Sequence, residues 1–248
     1  MMVDPESTPG RRAAALAPAP QSHWALFLDL DGTLLDIAAT PEAVHVPGDL
    51  AAALGAAAQA VGGALAIVSG RDLQEIDRLL APAHLPAAGE HGAVVRLPSG
   101  AYDEIGLKVP DAWVKALLGV QDTCPGALTE IKPHNVVVHF RNAPAHEARI
   151  RRVALDLVAA DRQSFEVLDA KMAVEIRASS VTKARAVDRL MQVEPFAGRT
   201  PVFVGDDKTD HDGFGAAVAR GGLALDVAEV FAGRPREVRA WLKRFTQI

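Results

Sequence analysis

Two aspartates follow a short apolar run near the N-terminus, Asp29 and Asp31 of the sequence DLDGT. Ala25–Leu30 has the composition of a strand buried on both faces, so its acidic residues would emerge at the carboxyl end. Two neighbouring carboxylates repel each other, and keeping both ionised requires a cation or a proton. Mg²⁺ prefers oxygen ligands of this kind, and an aspartate can also attack phosphorus as a nucleophile. The motif therefore indicates metal-assisted phosphoryl chemistry.

Other polar groups follow further predicted strands. One apolar run leads into the sequence GDDKTD, which contains Asp206, Asp207 and Asp210, and another ends at Ser69. A metal between the two acidic clusters would take ligands from each. The Ser69 hydroxyl can donate to a phosphoryl oxygen, and the ammonium of Lys183 can neutralise charge on a transferring group. Singly, each group also has an ordinary explanation as a helix cap or a surface charge, and their combination favours a phosphate site.

The elements that must position these groups alternate between short apolar runs and stretches of helical spacing. This alternation predicts a Rossmann-like α/β core, a parallel sheet covered by helices on both faces in three layers. Ligands on such sheets bind beyond the carboxyl ends of the strands, where the polar groups above would converge. The predicted strands are residues 25–30, 64–68, 201–204 and 223–225, and the predicted helices include 49–61, 72–80 and 235–245.

The middle of the chain has a different pattern, in which polar and apolar residues alternate. Glu175 and Arg177 fall on one face of a predicted strand, and Val174 and Ile176 fall on the other. Such strands predict an open-faced sheet with helices on one side and a polar face on the other. We expect an α/β cap domain inserted into the core. The predicted boundaries are a disordered Ala/Pro-rich tail over 1–22, core segments over 23–96 and 180–248, and the cap over 97–179.

The composition restricts the class of protein. The chain has 248 residues, is 49% hydrophobic and carries a formal net charge of −5, which argues against a non-specific nucleic-acid or anionic-membrane binder. Its single cysteine excludes an intrachain disulfide and fits a reducing compartment. The sequence contains no apolar run of the roughly 20 residues that a membrane span needs. We therefore expect a cytoplasmic protein with no nucleic-acid or membrane partner.

The acidic motif, the serine, the lysine and the second acidic motif, in this order, resemble the haloacid dehalogenase superfamily of Mg²⁺-dependent phosphotransferases. More narrowly, five segments look like those of the trehalose-6-phosphate phosphatases. They are VSGR at 68–71, GEHG at 89–92, EIK at 130–132, HFR at 139–141 and GDDKTD at 205–210. The likeness runs from about residue 24 to residue 227.

The resemblance implies a role for each motif residue. Asp29 would be the nucleophile, and Asp31 would protonate the departing sugar oxygen and then deprotonate the attacking water. Mg²⁺ would be held by the Asp29 carboxylate, the Asp31 backbone carbonyl and Asp206. Asp207 would orient Lys183 or a water on the metal. The other implied residues are Ser69 and Lys183 in catalysis, Thr33 and Asp210 around the metal, and Arg71, His91, Glu130, Lys132, Arg141, Lys171 and Glu175 in substrate binding.

The mixed donors and acceptors of the predicted cap face suit a polyhydroxylated ligand, although a solvated face with paired surface charges is the alternative. The chain departs from the family pattern at residues that include Ala170, Ala178, Ala184 and His211, and none of these changes removes a catalytic group. The expected reaction is hydrolysis of trehalose 6-phosphate. Another sugar phosphate, such as sucrose phosphate or mannosylglycerate phosphate, stays open. So do a phosphoacceptor signalling module, which has no use for Asp31 as an acid–base group, and a catalytically silent sugar-phosphate binder.

Overall fold

The computed structural model describes residues 17–38, 43–170 and 172–248. These residues form two compact units. The core unit consists of the described residues up to Asp103 together with Thr182–Ile248. The inserted unit consists of Glu104–Val181.

Helices and strands alternate through most of the chain. No helix within the described ranges combines the length and the apolar character needed to cross a membrane. In chain order the elements are β1 (Trp24–Leu28), α1 (Leu50–Ala60), β2 (Leu65–Val68), α2 (Leu73–Leu80), β3 (Ala87–Gly89), β4 (Val94–Arg96), β5 (Tyr102–Glu104), α3 (Asp111–Leu118), α4 (Val120–Thr123), β6 (Leu128–Ile131), β7 (Asn135–His139), α5 (Glu147–Val158), β8 (Phe165–Ala170), β9 (Ala173–Ala178), α6 (Lys183–Leu190), β10 (Thr200–Gly205), α7 (Asp210–Ala219), β11 (Leu223–Asp226), α8 (Val227–Val230) and α9 (Pro235–Lys243), with 3₁₀ turns at Glu90–Gly92, Pro144–His146 and Arg244–Gln247.

The core unit contains a seven-stranded sheet in the order β11-β10-β1-β2-β3-β4-β5. The pairs from β11 to β3 are parallel, and β4 runs antiparallel to β3. Every residue of β1 is buried, as its apolar composition predicts. Since β1 lies between β10 and β2, the carboxyl ends of these three strands lie side by side at one edge of the sheet.

Helices cover both faces of this sheet. Trp24 and Phe27 lie three residues apart on β1, so their side chains point to opposite faces. The ring centroids of Trp24 and Trp241, a residue of α9, lie 6.4 Å apart, and α9 packs against α1. The Phe27 ring contacts Phe196 at 5.5 Å, just after α6, and α6 packs against α7. The predicted three-layer α/β core is confirmed.

The N-terminal segment of the core unit is packed from residue 17 onwards. Ala17 is buried, and the indole Nε1 of Trp241 donates to the carbonyl of Pro18 at 2.8 Å. Residues 17–22 therefore differ from the disordered tail that the Ala/Pro-rich composition predicts. Residues 1–16 of that predicted tail lie outside the described residues.

The inserted unit contains an antiparallel sheet in the order β6-β7-β9-β8. Trp113 of α3 contacts the ring of Phe165 at 5.1 Å, and Thr129 donates to the carbonyl of Leu117 at 2.9 Å. Phe165 aligns with Ala178, which lies on the same face of β9 as Val174 and Ile176. The helix α3 therefore covers the apolar face of this sheet, as the alternating pattern predicts.

The first boundary between the two units lies after the predicted one. The sequence pattern places residues 97–103 in the insertion, but β5 (Tyr102–Glu104) is the last strand of the core sheet. Its sequence, YDE, carries little hydrophobic signal because it forms an edge strand with exposed residues.

The turn between β3 and β4 has an unusual backbone. Gly89 pairs with Val94, so the chain reverses over residues 90–93. Glu90 and His91 have φ values of 49° and 57°, and Gly92 has a φ of 104°. Left-handed conformations cost roughly 1–2 kcal/mol for residues with a Cβ atom. This short turn therefore contains two strained residues in succession.

Candidate active site

The carboxylate of Asp29 lies at the end of β1 beside the ammonium of Lys183. The Nζ atom is 2.7 Å from Asp29 Oδ1, and both side chains are buried. Lys183 is the first residue of α6, whose N-cap residue Thr182 accepts a bond from a backbone N–H. Burial raises the pKa of Asp29 well above its usual value, although the charge of Lys183 opposes this. A further positive charge would favour the ionised form that a nucleophile needs.

Asp210, at the start of α7, connects three parts of the site. Its Oδ1 accepts from Lys183 Nζ at 2.6 Å, and its Oδ2 accepts from the backbone N–H groups of Asp206 and Asp207 at 2.9 and 3.0 Å. The side chain has no exposed surface. Although burial alone would lower it, the carboxylates of Asp29 and Asp210 raise the pKa of Lys183 above its usual value. The lysine is therefore charged and fixed between two aspartates.

Asp206, at the end of β10, is held by the residues that follow Asp31. Thr33 donates its hydroxyl to Asp206 Oδ1 at 3.1 Å. Gly32 has a φ of 83° and packs so closely that a Cβ atom there would lie 2.0 Å from Asp206 Oδ2. Burial, together with the charges of Asp210 and Asp207, raises the pKa of Asp206 to about 6. The sequence includes Gly32 in a motif but does not reveal this close contact.

The carboxylates of Asp29, Asp206 and Asp210 form a group that fits a divalent cation. Each offers an oxygen, and these oxygens lie within 4.8 Å of one another. The ammonium of Lys183 compensates only part of their charge, and burial raises the pKa of Asp29 and Asp206. Since Asp210 already accepts three hydrogen bonds, Asp29 and Asp206 are better able to donate an oxygen to a metal. The donor set is therefore suited to a hard cation.

Asp31 is paired with Arg71. The guanidinium Nε lies 2.6 Å from Asp31 Oδ2, and Nη2 lies 2.8 Å from Oδ1. Arg71 also bonds to Glu75, which lies on the first turn of α2. Burial alone would lower the pKa of Arg71, but its hydrogen bond to Asp31 is the largest of the effects that raise this pKa above its usual value. Arg71, which the resemblance assigns to substrate, is held against the side chain of Asp31 in this structure.

Ser69 follows β2 at the same edge of the sheet. It is buried, and its Oγ accepts the backbone N–H of Arg71 at 3.2 Å. The pairing of Leu28 with Ile67 places Ser69 beside the segment that carries Asp29 and Asp31. The predicted convergence of polar groups at this edge thus brings the serine close to the acidic motif.

Asp207 is positioned differently from the other aspartates. Its Oδ1 accepts the backbone N–H and the hydroxyl of Thr209, at 2.7 and 2.6 Å. Asp207 is exposed. The family resemblance implies that Asp207 orients either Lys183 or a water on the metal. In the structure Lys183 is bonded instead to Asp210.

Several residues predicted to bind substrate lie in the inserted unit. Glu130 Oε2 is 2.8 Å from His139 Nε2, and Lys132 Nζ is 3.5 Å from Glu130 Oε1. The bond to His139 lowers the pKa of Glu130 despite its partial burial, and the charge of Lys132 acts in the same direction. The sequence does not single out His139 as a partner for this group.

Glu130 and Glu175 lie on the same face of the inserted sheet, because both align with Val137 of β7. Glu175 is buried and accepts from Asn135 Nδ2 at 2.9 Å. Arg141 is exposed and follows the opposite end of β7 from the turn that carries Lys132. The inserted sheet thus places Glu130, Lys132 and Glu175 in one region of the unit. Lys171 lies outside the described residues.

Comparison with known structures identifies the fold. The C-terminal domain of the trehalose-6-phosphate phosphatase of C. albicans superposes with a TM-score of 0.73 over 90% of this chain and 92% of that chain. The two are 19% identical in sequence, so this likeness concerns the fold.

Sequence comparison gives the family. The family model described as Trehalose-phosphatase matches residues 27–236. A probable trehalose-phosphate phosphatase of Sinorhizobium fredii is 38% identical over 206 residues, which cover 83% of this chain and 78% of that protein. The trehalose-6-phosphate phosphatase of Escherichia coli is 36% identical over 240 residues, or 92% and 89% of the two chains. This chain belongs to the trehalose-phosphatase family of phosphomonoester hydrolases, as its motifs predict.

Asp210→Asn is expected to lower the free energy of unfolding by about 3–5 kcal/mol, because it leaves Lys183 with an incomplete set of buried partners. The asparagine has one acceptor oxygen where Asp210 uses two, so either Lys183 or the two backbone N–H groups lose a bond. Urea unfolding measures the change. Asp212→Asn, an exposed position in the same helical turn, is the control. Equal stability of the two variants would contradict a connecting role for Asp210.

Proposed function

We propose that this protein hydrolyses trehalose 6-phosphate to trehalose and phosphate through a phosphorylated Asp29. The observation that carries the proposal is the buried Asp29 carboxylate at the end of β1, bonded to Lys183 and grouped with Asp206. A nucleophilic carboxylate must be ionised and close to positive charge. Lys183 supplies positive charge beside Asp29, and a bound cation would favour the ionised form that burial opposes. Membership of the trehalose-phosphatase family supports the choice of substrate.

We assign the steps of the reaction to the two motif aspartates as the family resemblance implies. A carboxylate oxygen of Asp29 attacks phosphorus, a bond forms between them, and the bond from phosphorus to the sugar oxygen breaks. Asp31 donates a proton to that departing oxygen. Asp31 then takes a proton from water, whose oxygen attacks phosphorus and releases Asp29. Lys183 and Ser69 hold phosphoryl oxygens throughout, and their burial favours electrostatic stabilisation in a low dielectric.

We propose Mg²⁺ as the cation of this site, held by the carboxylates of Asp29 and Asp206 and by the backbone carbonyl of Asp31. When bound, the ion compensates the charge of the phosphoryl group and of its carboxylate ligands. Thr33 and Gly32 fix the Asp206 carboxylate for this purpose. Asp210 supports it by holding the backbone of residue 206 and the ammonium of Lys183.

For the inserted unit we propose recognition of the sugar, the task expected of the predicted cap. Glu130, Lys132 and Glu175 present donors and acceptors on one region of its sheet. Groups that hydrogen-bond sugar hydroxyls discriminate strongly against ligands lacking them, because the protein groups would otherwise be left unpaired. We place the reaction in the cytoplasm, since the buried free thiol of Cys124 suits a reducing compartment.

Release of phosphate from trehalose 6-phosphate tests the proposal directly. We expect turnover with Mg²⁺, and loss of at least about 100-fold when EDTA removes divalent ions, because the carboxylate cluster then repels the phosphoryl group. Activity that returns on adding excess Mg²⁺ separates metal removal from damage. Sucrose 6-phosphate and mannosylglycerate phosphate are the comparison substrates. A higher kcat/KM for either would replace trehalose 6-phosphate as the substrate, and EDTA-resistant turnover would contradict the metal.

A further inference from the structure

The turn Glu90–Gly92 reverses the chain with two residues whose left-handed conformation costs free energy. Hairpin turns with positive φ are normally made by Gly and Asn, which adopt this conformation at low cost. Here Glu90 and His91, both with a Cβ atom, have φ values of 49° and 57°. Strain of this kind persists where the surrounding structure fixes it, and it is concentrated at functional sites. The contacts of the turn indicate what it does.

The turn is bonded on one side to the loop that carries Ser69. The backbone N–H of His91 donates to the carbonyl of Ser69, and the N–H of Glu90 donates to the carbonyl of Arg71, both at 2.9 Å. Between these bonds the imidazole of His91 packs on Gly70. A Cβ atom at Gly70 would lie 2.6 Å from both Cε1 and Nε2 of the ring. The ring therefore covers the backbone immediately after Ser69.

On the other side the turn packs against the start of α6. A Cβ atom at Gly92 would lie 2.6 Å from the carbonyl oxygen of Thr182 and 3.4 Å from the Cβ of Ala186. Thr182 is the N-cap of α6, and the next residue is Lys183. One short turn thus touches the backbone adjacent to both Ser69 and Lys183. The left-handed conformation of all three of its residues makes this double contact possible.

We propose that the Glu90–Gly92 turn sets the spacing between Ser69 and Lys183, with His91 as a positioning residue that acts through Ser69. The proposal rests on the proposed function, in which the hydroxyl and the ammonium hold the same phosphoryl group. Such groups are sensitive to placement, since a displacement of about 1 Å can cost about 100-fold in rate. This positioning role differs from the direct contact with substrate that the family resemblance implies for His91.

The inference is tested by His91→Asn in two backgrounds, the natural sequence and Ser69→Ala. Asparagine tolerates positive φ but lacks the ring that reaches Gly70, so the variant should fold with little change in Tm. Calorimetric titration with inorganic phosphate in the presence of Mg²⁺ measures binding at the phosphate site. We expect His91→Asn to weaken phosphate binding by about 10-fold in the natural sequence and to have no further effect in Ser69→Ala. If His91 acts through Ser69, both changes cost the same interaction, the one between the Ser69 hydroxyl and phosphate.

Steady-state kinetics provides a second readout of the same comparison. The loss in kcat/KM from His91→Asn should likewise disappear in the Ser69→Ala background. His84→Asn is the matched control, because the His84 side chain is 67% exposed and lies on a loop before β3. A loss from His91→Asn that is equally large in both backgrounds would overturn the inference and favour direct contact with substrate. Normal phosphate binding without turnover of trehalose 6-phosphate would instead contradict the proposed function alone.

Discussion

Asp29→Asn should abolish phosphate release, with a loss of at least about 1,000-fold in kcat, while the protein remains folded. The amide has nearly the shape of the carboxylate but is not a nucleophile, and it binds a divalent cation more weakly. Lys183 keeps an acceptor, since the amide oxygen can take the place of Asp29 Oδ1, which now lies 2.7 Å from Nζ. The chemistry is removed with little change in packing.

The stability of this variant follows from the sign of the pKa shift. Burial raises the pKa of Asp29, so the folded protein disfavours the ionised form relative to the unfolded chain. A carboxylate of this kind lowers stability as the pH rises above its unfolded-state value of about 3.9. In the absence of metal, replacing it by a neutral amide should therefore maintain or raise the Tm at neutral pH.

Two measurements check this prediction. Thermal unfolding without metal compares Asp29→Asn with the natural sequence, and Asp36→Asn, at an exposed position in the same segment, serves as the control. Acid-quenched samples taken during turnover should contain a phosphorylated peptide that includes Asp29, and the variant should lack it. Substantial turnover by a folded Asp29→Asn would exclude this residue as the nucleophile.

The sequence predicts the central part of the core well, because buried parallel strands have a strong hydrophobic signal. Residues 64–68 and 201–204, predicted as strands, overlap β2 (Leu65–Val68) and β10 (Thr200–Gly205). The signal fails for two short strands on one side of the sheet, β3 and β5. The strand β5 is exposed and polar, and β3 has the short sequence AAG, so neither differs from a loop in composition. Their places in the sheet depend on pairing with distant strands rather than on local pattern.

For the candidate site, the motif residues at the strand ends are accessible from sequence, whereas their partners are not. The parallel sheet requires Asp29, Ser69 and Asp206 to share an edge. That Arg71 binds Asp31 and that Asp210 binds Lys183 depends on side-chain directions across elements far apart in the chain. For Asp210 there is one local signal. It lies four residues after Asp206 and at the start of a predicted helix.

The role of Gly32 is the least visible in the sequence, and its replacement should have a large effect. Gly32→Ala is expected to reduce kcat/KM by at least about 100-fold, because the displaced Asp206 carboxylate no longer holds its catalytic position. A Cβ atom at this position would lie 2.0 Å from Asp206 Oδ2 and 2.6 Å from Oδ1. Relief of this overlap requires the carboxylate to move, which disrupts its 3.1 Å bond from Thr33. A larger Mg²⁺ concentration should then be needed for half-maximal activity.

Gly100→Ala separates this contact from backbone strain. Gly100 has a φ of 84°, nearly the same as the 83° of Gly32, but no atom lies within 4 Å of its added Cβ. Both variants should therefore lose about 1–2 kcal/mol of stability from the left-handed conformation of alanine. Only Gly32→Ala should also lose activity and require more Mg²⁺, measured by phosphate release across a metal titration. If the two variants matched in both respects, the position of the Asp206 carboxylate would not depend on Gly32, and the proposed metal ligation would lose its structural support.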